Sequence, residues 1–118
     1  MKYMLLVHHD EKAFGQRSEA ERQQMLQESV ALANQLDASG NYLSAAPLHP
    51  TSETNCVRVR EGKRLVTDGP FAETREQLGG YMLIDVTALD EAIAIAARGA
   101  VARVGTVEVR PVREGPPT

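Results

Sequence analysis

Val66-Thr67-Asp68-Gly69-Pro70-Phe71-Ala72-Glu73-Thr74-Arg75-Glu76-Gln77-Leu78-Gly79-Gly80-Tyr81 joins two strand-like runs through a turn, a helix start and a double glycine. Proline fixes φ and glycine admits positive φ, so Gly69-Pro70 reads as a tight turn. Thr74 followed by Gln77 forms a capping box, which predicts a short helix ending at Gly79-Gly80. The two glycines let the chain bend back into a strand over 81–86. Loops held on a rigid scaffold carry binding and catalytic groups more often than the scaffold does.

On the upstream side, Val57-Arg58-Val59-Arg60 and Arg64-Leu65-Val66-Thr67 flank Glu61-Gly62-Lys63. This is a hairpin pattern, with Gly62 supplying a positive φ. Near the start, Met4-Leu5-Leu6-Val7 is a continuous apolar run and reads as a strand buried on both faces. Tyr81-Met82-Leu83-Ile84 reads the same way. Ser18-Glu19-Ala20-Glu21 is a capping box, in which Ser18 and the Glu21 carboxylate take backbone donors. It opens a helix from Glu19 to Ser39, with Leu26, Val30, Ala33 and Leu36 on one stripe, widened by Met25 and Leu32, and Gly40 stopping it. Tyr42-Leu43-Ser44-Ala45-Ala46 is a strand ended by Pro47. A second helix covers Ala88 to Arg98, with Thr87 as N-cap and Leu89, Ile93 and Ala97 on its apolar face. Val107-Glu108-Val109-Arg110 alternates and closes the sheet.

The order is strand, helix, strand, inserted hairpin, strand, helix, strand. It predicts an α+β fold, a ferredoxin-like sandwich with an inserted β-hairpin. Residues 1–112 form a single domain, and 113–118, with two prolines and a glycine, form a loose C-terminal tail. Two helices cover only one face of such a sheet. The apolarity of both faces of strands 4–7 and 81–84 therefore predicts a homodimer.

Composition narrows the function classes. Apolar residues make up 42% of 118, enough for a core and too many for a disordered chain. A net charge of −3, no tryptophan and two phenylalanines argue against a nucleic-acid partner. No apolar run approaches the ~18 residues that span a bilayer, so no membrane partner is expected. Lys2 is followed by a short apolar run that breaks at His8-His9-Asp10, unlike a signal peptide. The one cysteine, Cys56, has no internal partner and reads as an apolar filler, which points to a reducing cytoplasm.

Three groups of residues could carry chemistry. Asp68 and Glu73 flank the turn and could act as an acid–base pair, with Phe71 as an apolar plug. The structural alternative is that Asp68 accepts backbone N–H groups in an Asx-turn and Glu73 sits at a helix start. His8 and Asp10 share one face of the first strand and His9 takes the other, so His8 is a second candidate base beside Asp10. The alternative there is a strand end running into solvent. With no third or fourth ligand at a supporting spacing, no metal site is expected. Arg58, Arg60, Lys63 and Arg64 crowd the hairpin and Arg75 lies in the turn region. Arginines suit a small anionic ligand. Hairpin charges equally serve as a solvated face that blocks edge-to-edge association. No P-loop, dinucleotide fingerprint, nucleophile elbow or CxxC pair is present, and no cofactor is expected.

Asp68-Gly69-Pro70-Phe71 is similar to the signature of the DGPF branch of the YCII-related proteins. The resemblance runs from Met1-Lys2-Tyr3-Met4-Leu5-Leu6 to Val107-Glu108-Val109-Arg110-Pro111-Val112. It implies a dimeric α/β barrel built from two sheets face to face. It also implies a small-molecule protein, either a lyase, isomerase or dehydrochlorinase working by acid–base chemistry, or a non-catalytic ligand-binding or accessory module linked to sigma-factor regulation. The wider superfamily resembles enzymes with a histidine on the first helix and an aspartate after the second. Here Glu19 to Ser39 holds no histidine and Gly99-Ala100-Val101 no aspartate. Asp68, Glu73 and His8 are then the catalytic candidates, with Phe71, Arg75 and Asp10 as contacts for a small anionic or aromatic ligand. The site is expected where the signature loop meets the end of the first strand.

Overall fold

Side-chain parity along the first strand sorts the molecule into two faces. The computed structural model describes residues 1–114. Strand β1 (Lys2–His9) is central: it pairs antiparallel with β5 (Gln77–Asp85) on one side and β6 (Thr106–Pro111) on the other. Strand β2 (Tyr42–Pro47) pairs antiparallel with β5, giving the order β2-β5-β1-β6. The sheet is open at β2 and β6, and the whole is a mixed α+β structure with antiparallel sheets and three helices.

Tyr3 and Leu5 point inward, opposite Ile84 and Met82 of β5. They meet Leu32 and Leu36 of α2 (Glu19–Ala38) and Ala92, Ile95 and Ala96 of α3 (Leu89–Arg98) to form the core. Ile84 is fully buried; removing such a side chain from water contributes about 1.5–3 kcal/mol. Met4, Leu6, Tyr81 and Leu83 face the other way and are only half-buried. Within one chain, therefore, the strands are buried on one face rather than on both.

Several elements differ from their sequence reading. Ser18 does cap α2, accepting from Glu21 N at 3.1 Å, but the Glu21 carboxylate turns to Arg17 Nη1 at 3.5 Å. In α3 the buried face is Ala92, Ile95 and Ala96, while Leu89 and Ile93 are exposed; small residues let the helix lie close to the sheet. Thr87 is not its N-cap: Ala88 holds that position, and Thr87 donates from its backbone N and its hydroxyl to Glu91 Oε2. The helix expected after Thr74 is absent. Gln77 already pairs with His9 in the β1–β5 ladder, and its amide nitrogen donates back to Thr74 O at 2.6 Å. A short helix that the sequence pattern did not reveal, α1 (Glu11–Gly15), follows β1 directly.

The hairpin forms as expected from β3 (Asn55–Arg60) and β4 (Lys63–Asp68), turning through Glu61 and Gly62, both at positive φ. It is a separate two-stranded sheet that projects as an arm. The radius of gyration, 16.2 Å, exceeds the ~13.5 Å of a compact chain this long. Arg113 and Glu114 are exposed and lie outside any element; the rest of the expected tail, 115–118, lies outside the described residues. Among the described residues no helix is long and apolar enough to cross a membrane.

Candidate functional site

Only the C-terminal half of α2 seals against the sheet. Its N-terminal half stands off, and a cleft of about 760 Å³ opens between α2, α1, the loop after β2 and the ends of β1 and β5. Val7, Phe14, Met25, Leu26, Val30 and Met82 are among its apolar lining. A smaller apolar void of about 90 Å³, lined by Leu32, Ile95 and Val107, adjoins it through the shared residues Val7, Ser29, Met82 and Val101. The ionisable groups on the cleft wall include His9, Glu11, Arg22 and His49.

His9 is placed by parity and by a bulge. It follows Tyr3, Leu5 and Val7 on the inward face of β1. The β1–β5 register shifts between Val7 and His8, which pair with Gly80 and Leu78, leaving Gly79 as the extra residue. The His9 ring lies directly over Gly79, where a Cβ would stand 2.6 Å from Nδ1. The ring also packs against Phe14 of α1, with centroids 5.0 Å apart. His9 Nδ1 is buried and has no hydrogen-bond partner among the described residues. Buried polar atoms are paired in the great majority of cases, and an exception calls for an explanation.

The other polar groups are held differently. The Glu11 carboxylate accepts from Thr51 N through Oε1 at 3.1 Å and Oε2 at 3.2 Å, which ties α1 to the loop after β2. His49 Nδ1 lies 3.2 Å from Glu53 Oε2, and its ring is largely exposed. Arg22 Nη1 donates to Gly15 O at 3.0 Å, and no ion pair involves Arg22 among the described residues. A half-buried guanidinium with one carbonyl acceptor keeps most of its five donors free. The cleft thus combines an apolar floor, an unpaired cation and an imidazole.

Residues 1–115 match the YCII-related domain. An uncharacterised protein of Rhizobium meliloti (strain 1021) is 36% identical over 114 residues, 95% of this chain and 92% of the relative. The chain belongs to the YCII-related family.

In this YCII-related protein the expected site residues do not line the cleft. It opens beside the end of β1, where the signature loop runs into β5, yet Leu78 to Tyr81 are what that loop contributes. His8 faces the opposite side of the sheet, its Nε2 2.5 Å from Glu108 Oε1. Asp10 caps α1, accepting from Ala13 N at 3.1 Å. Asp68, Glu73 and Arg75 are exposed, and Phe71, at 82% exposure, plugs nothing. The Asp68 carboxylate makes no hydrogen bond among the described residues, so no Asx-turn forms. The turn is fixed through Gly69 instead, at φ 84°, whose N donates to Thr54 O at 2.8 Å and whose O accepts from the Cys56 thiol at 3.1 Å. Arg58 and Arg60 occupy one exposed face of the arm.

His9, Arg22 and Glu11 were the groups missed. Parity gave a signal for His9: once Tyr3 and Leu5 face the core, His9 inherits that face and His8 does not. Gly79-Gly80 on the neighbouring strand was the second signal, since a glycine opposite a ring marks close approach. Away from the cleft, three carboxyls are held below the usual carboxylate range. Arg103, 2.6 Å away, does this to Glu28, the N-terminal ammonium to Asp85, and the Thr87 backbone N–H and hydroxyl to Glu91.

Proposed function

We propose that this YCII-related protein binds a small molecule with an apolar, ring-sized body and a single anionic group, seated in the cleft under α2. The observation that carries this reading is Arg22: a guanidinium without a carboxylate partner among the described residues, on the wall of a mostly apolar cleft. Arginine meets carboxylates bidentately. The volume falls within the range of small-molecule sites. His9 is the acid–base group of the site, because an imidazole can both accept and donate a proton and its buried Nδ1 has no partner among the described residues. Glu11 positions α1 and is not the base, since both its oxygens serve Thr51 N. A lyase- or isomerase-type proton transfer at a carbon of the bound anion is the enzymatic form of this reading. Titrating the protein with benzoate and with uncharged toluene, followed by amide NMR shifts, tests it. Benzoate should move residues of the cleft and toluene should bind more weakly; equal shifts for the two, or shifts only at the arm, would refute it.

The strand order β2-β5-β1-β6 supports a ferredoxin-like sandwich of the DGPF branch with β3–β4 inserted. The half-buried outer residues Met4, Leu6, Tyr81 and Leu83 support a homodimer whose sheets pack face to face as a dimeric α/β barrel. The exposed signature-loop groups Asp68, Phe71, Glu73 and Arg75 then join a site only by way of the second copy. An unpaired Cys56 thiol suits a cytoplasmic protein.

A further inference from the structure

We propose that the apolar void beside the cleft is a subsite for a short alkyl group, so that the ligand is an aromatic carboxylate with a chain of about three carbons opposite its anion. The inference rests on the anion-and-ring reading above and names the third part of that ligand.

Two walls of the cleft run on into the void, and both change from polar to apolar in the same sense. Along β1 the inward residues are His9, Val7 and Leu5; the first lines the cleft, the second lines both spaces and the third lines the void. Along α2 the same series is Arg22, Ser29 and Leu32. Arg22 and Ser29 are seven residues apart on one face of the helix, which is about 10 Å along its axis. A ring whose carboxylate meets Arg22 stops short of the void, and a chain on the opposite ring carbon covers the rest. The polar gradient thus sets the direction of the ligand: anion at Arg22, ring beside His9 and Phe14, chain past Met82 and Val101.

The void suits carbon better than water. Among the described residues the one polar side chain on its wall is Ser29, whose hydroxyl already donates to Met25 O at 3.0 Å. A water placed there needs several polar partners and finds none free. The volume is about 90 Å³, room for about three ligand atoms at the ~30 Å³ that a water occupies. Small residues keep it open: Ala96, Gly99 and Ala100 form its far wall, where a leucine would fill it. The lining atoms forfeit dispersion contacts across such a gap, and an alkyl group restores them.

Isothermal titration of benzoate, para-propylbenzoate and para-hexylbenzoate into the parent and into Ala96→Leu tests the subsite. Leucine is a good helix former and adds to alanine the three carbons that the void holds. In the parent each carbon of the propyl chain should tighten binding about fourfold, the effect of one buried methylene, and the hexyl chain should gain nothing further. In Ala96→Leu benzoate, which does not reach the void, should bind as in the parent, and the propyl advantage should fall below about fourfold. A parent that binds benzoate and para-propylbenzoate equally overturns the subsite and keeps the anion-and-ring reading. A propyl advantage that Ala96→Leu leaves intact, or affinity that keeps rising to hexyl, places the chain in the open cleft and overturns the subsite as well. No binding of any of the three compounds overturns both readings. Should Ala96→Leu fail to fold, the break between propyl and hexyl in the parent decides alone.

Discussion

Leu32 and Leu36 toward the C-terminal end of α2 are buried against the sheet, while Leu26 and Val30 before them are 59% and 52% exposed. The same helix thus does two things along its length. It is tied down from outside in both parts: Arg98 Nη2 donates to Gln35 Oε1 at 2.5 Å in the sealed part, and Arg103 Nη2 meets Glu28 Oε2 at 2.6 Å between Leu26 and Val30. In the open half its neighbours are α1, with Phe14, and the strand end carrying His9 over Gly79. The apolar residues there roof a cleft rather than fill a core. An apolar stripe marks what a helix turns away from water, and only the neighbouring elements decide whether that becomes packing or a binding wall.

The largest expected effect separates the two halves directly. Leu36→Ala should lose about 2–5 kcal/mol in urea unfolding, the range for truncating a buried leucine. Leu26→Ala should lie within about 0.5 kcal/mol of the parent, as exposed positions do, while weakening ligand binding. Comparable losses of stability at both positions would mean that the cleft is closed in solution.

A smaller effect probes the open half alone. Gly79→Ala drives a Cβ into the His9 ring, and overpacking of this kind costs about 1–3 kcal/mol. In a His9→Ala background the same substitution should cost little, because the ring is gone. Thermal unfolding of the four proteins of this cycle measures the coupling; additive effects would show that the ring does not rest on Gly79.

The smallest effect belongs to the Arg103–Glu28 contact on α2. Arg103 holds the Glu28 carboxyl below its ordinary value. A carboxyl with a lowered pKa in the folded state favours folding above its unfolded pKa, and that contribution disappears as pH falls through the folded value. Glu28→Gln should therefore slightly reduce stability at neutral pH and converge with the parent in acid, as read from melting temperatures between pH 7 and pH 3. An offset that persists unchanged in acid would assign the effect to something other than this pair.

Much of the frame was legible because local rules agreed with one another. Met4 to Val7, the Ser18 cap, the Glu61-Gly62 turn and the alternation from Val107 to Arg110 all point to the elements that form. Where tertiary context decided, local reading failed. Thr74 and Gln77 carry the letters of a cap, but Gln77 is taken by the ladder opposite His9. Leu89 and Ile93 carry an apolar helical spacing, yet α3 turns Ala92, Ile95 and Ala96 to the sheet and leaves those two exposed. The candidate cleft opens beside the place the sequence points to, and none of the residues named there from the sequence lines it. Phe14 is brought to His9 by α1, a single turn of helix with no apolar period to announce it, and Arg22 of α2 is tied to the end of that turn through Gly15 O. The signature loop drew attention through its charges, whereas its contribution to the cleft is the backbone and glycines of its last residues.

Isothermal titration of benzoate into the parent and into Arg22→Met tests the central claim most directly. Methionine keeps the helix and much of the apolar bulk while removing the charge. The account predicts saturable one-to-one binding per chain to the parent, a tenfold or greater loss in Arg22→Met, and unchanged melting of the unliganded variant. Equal affinity in the two proteins would contradict it.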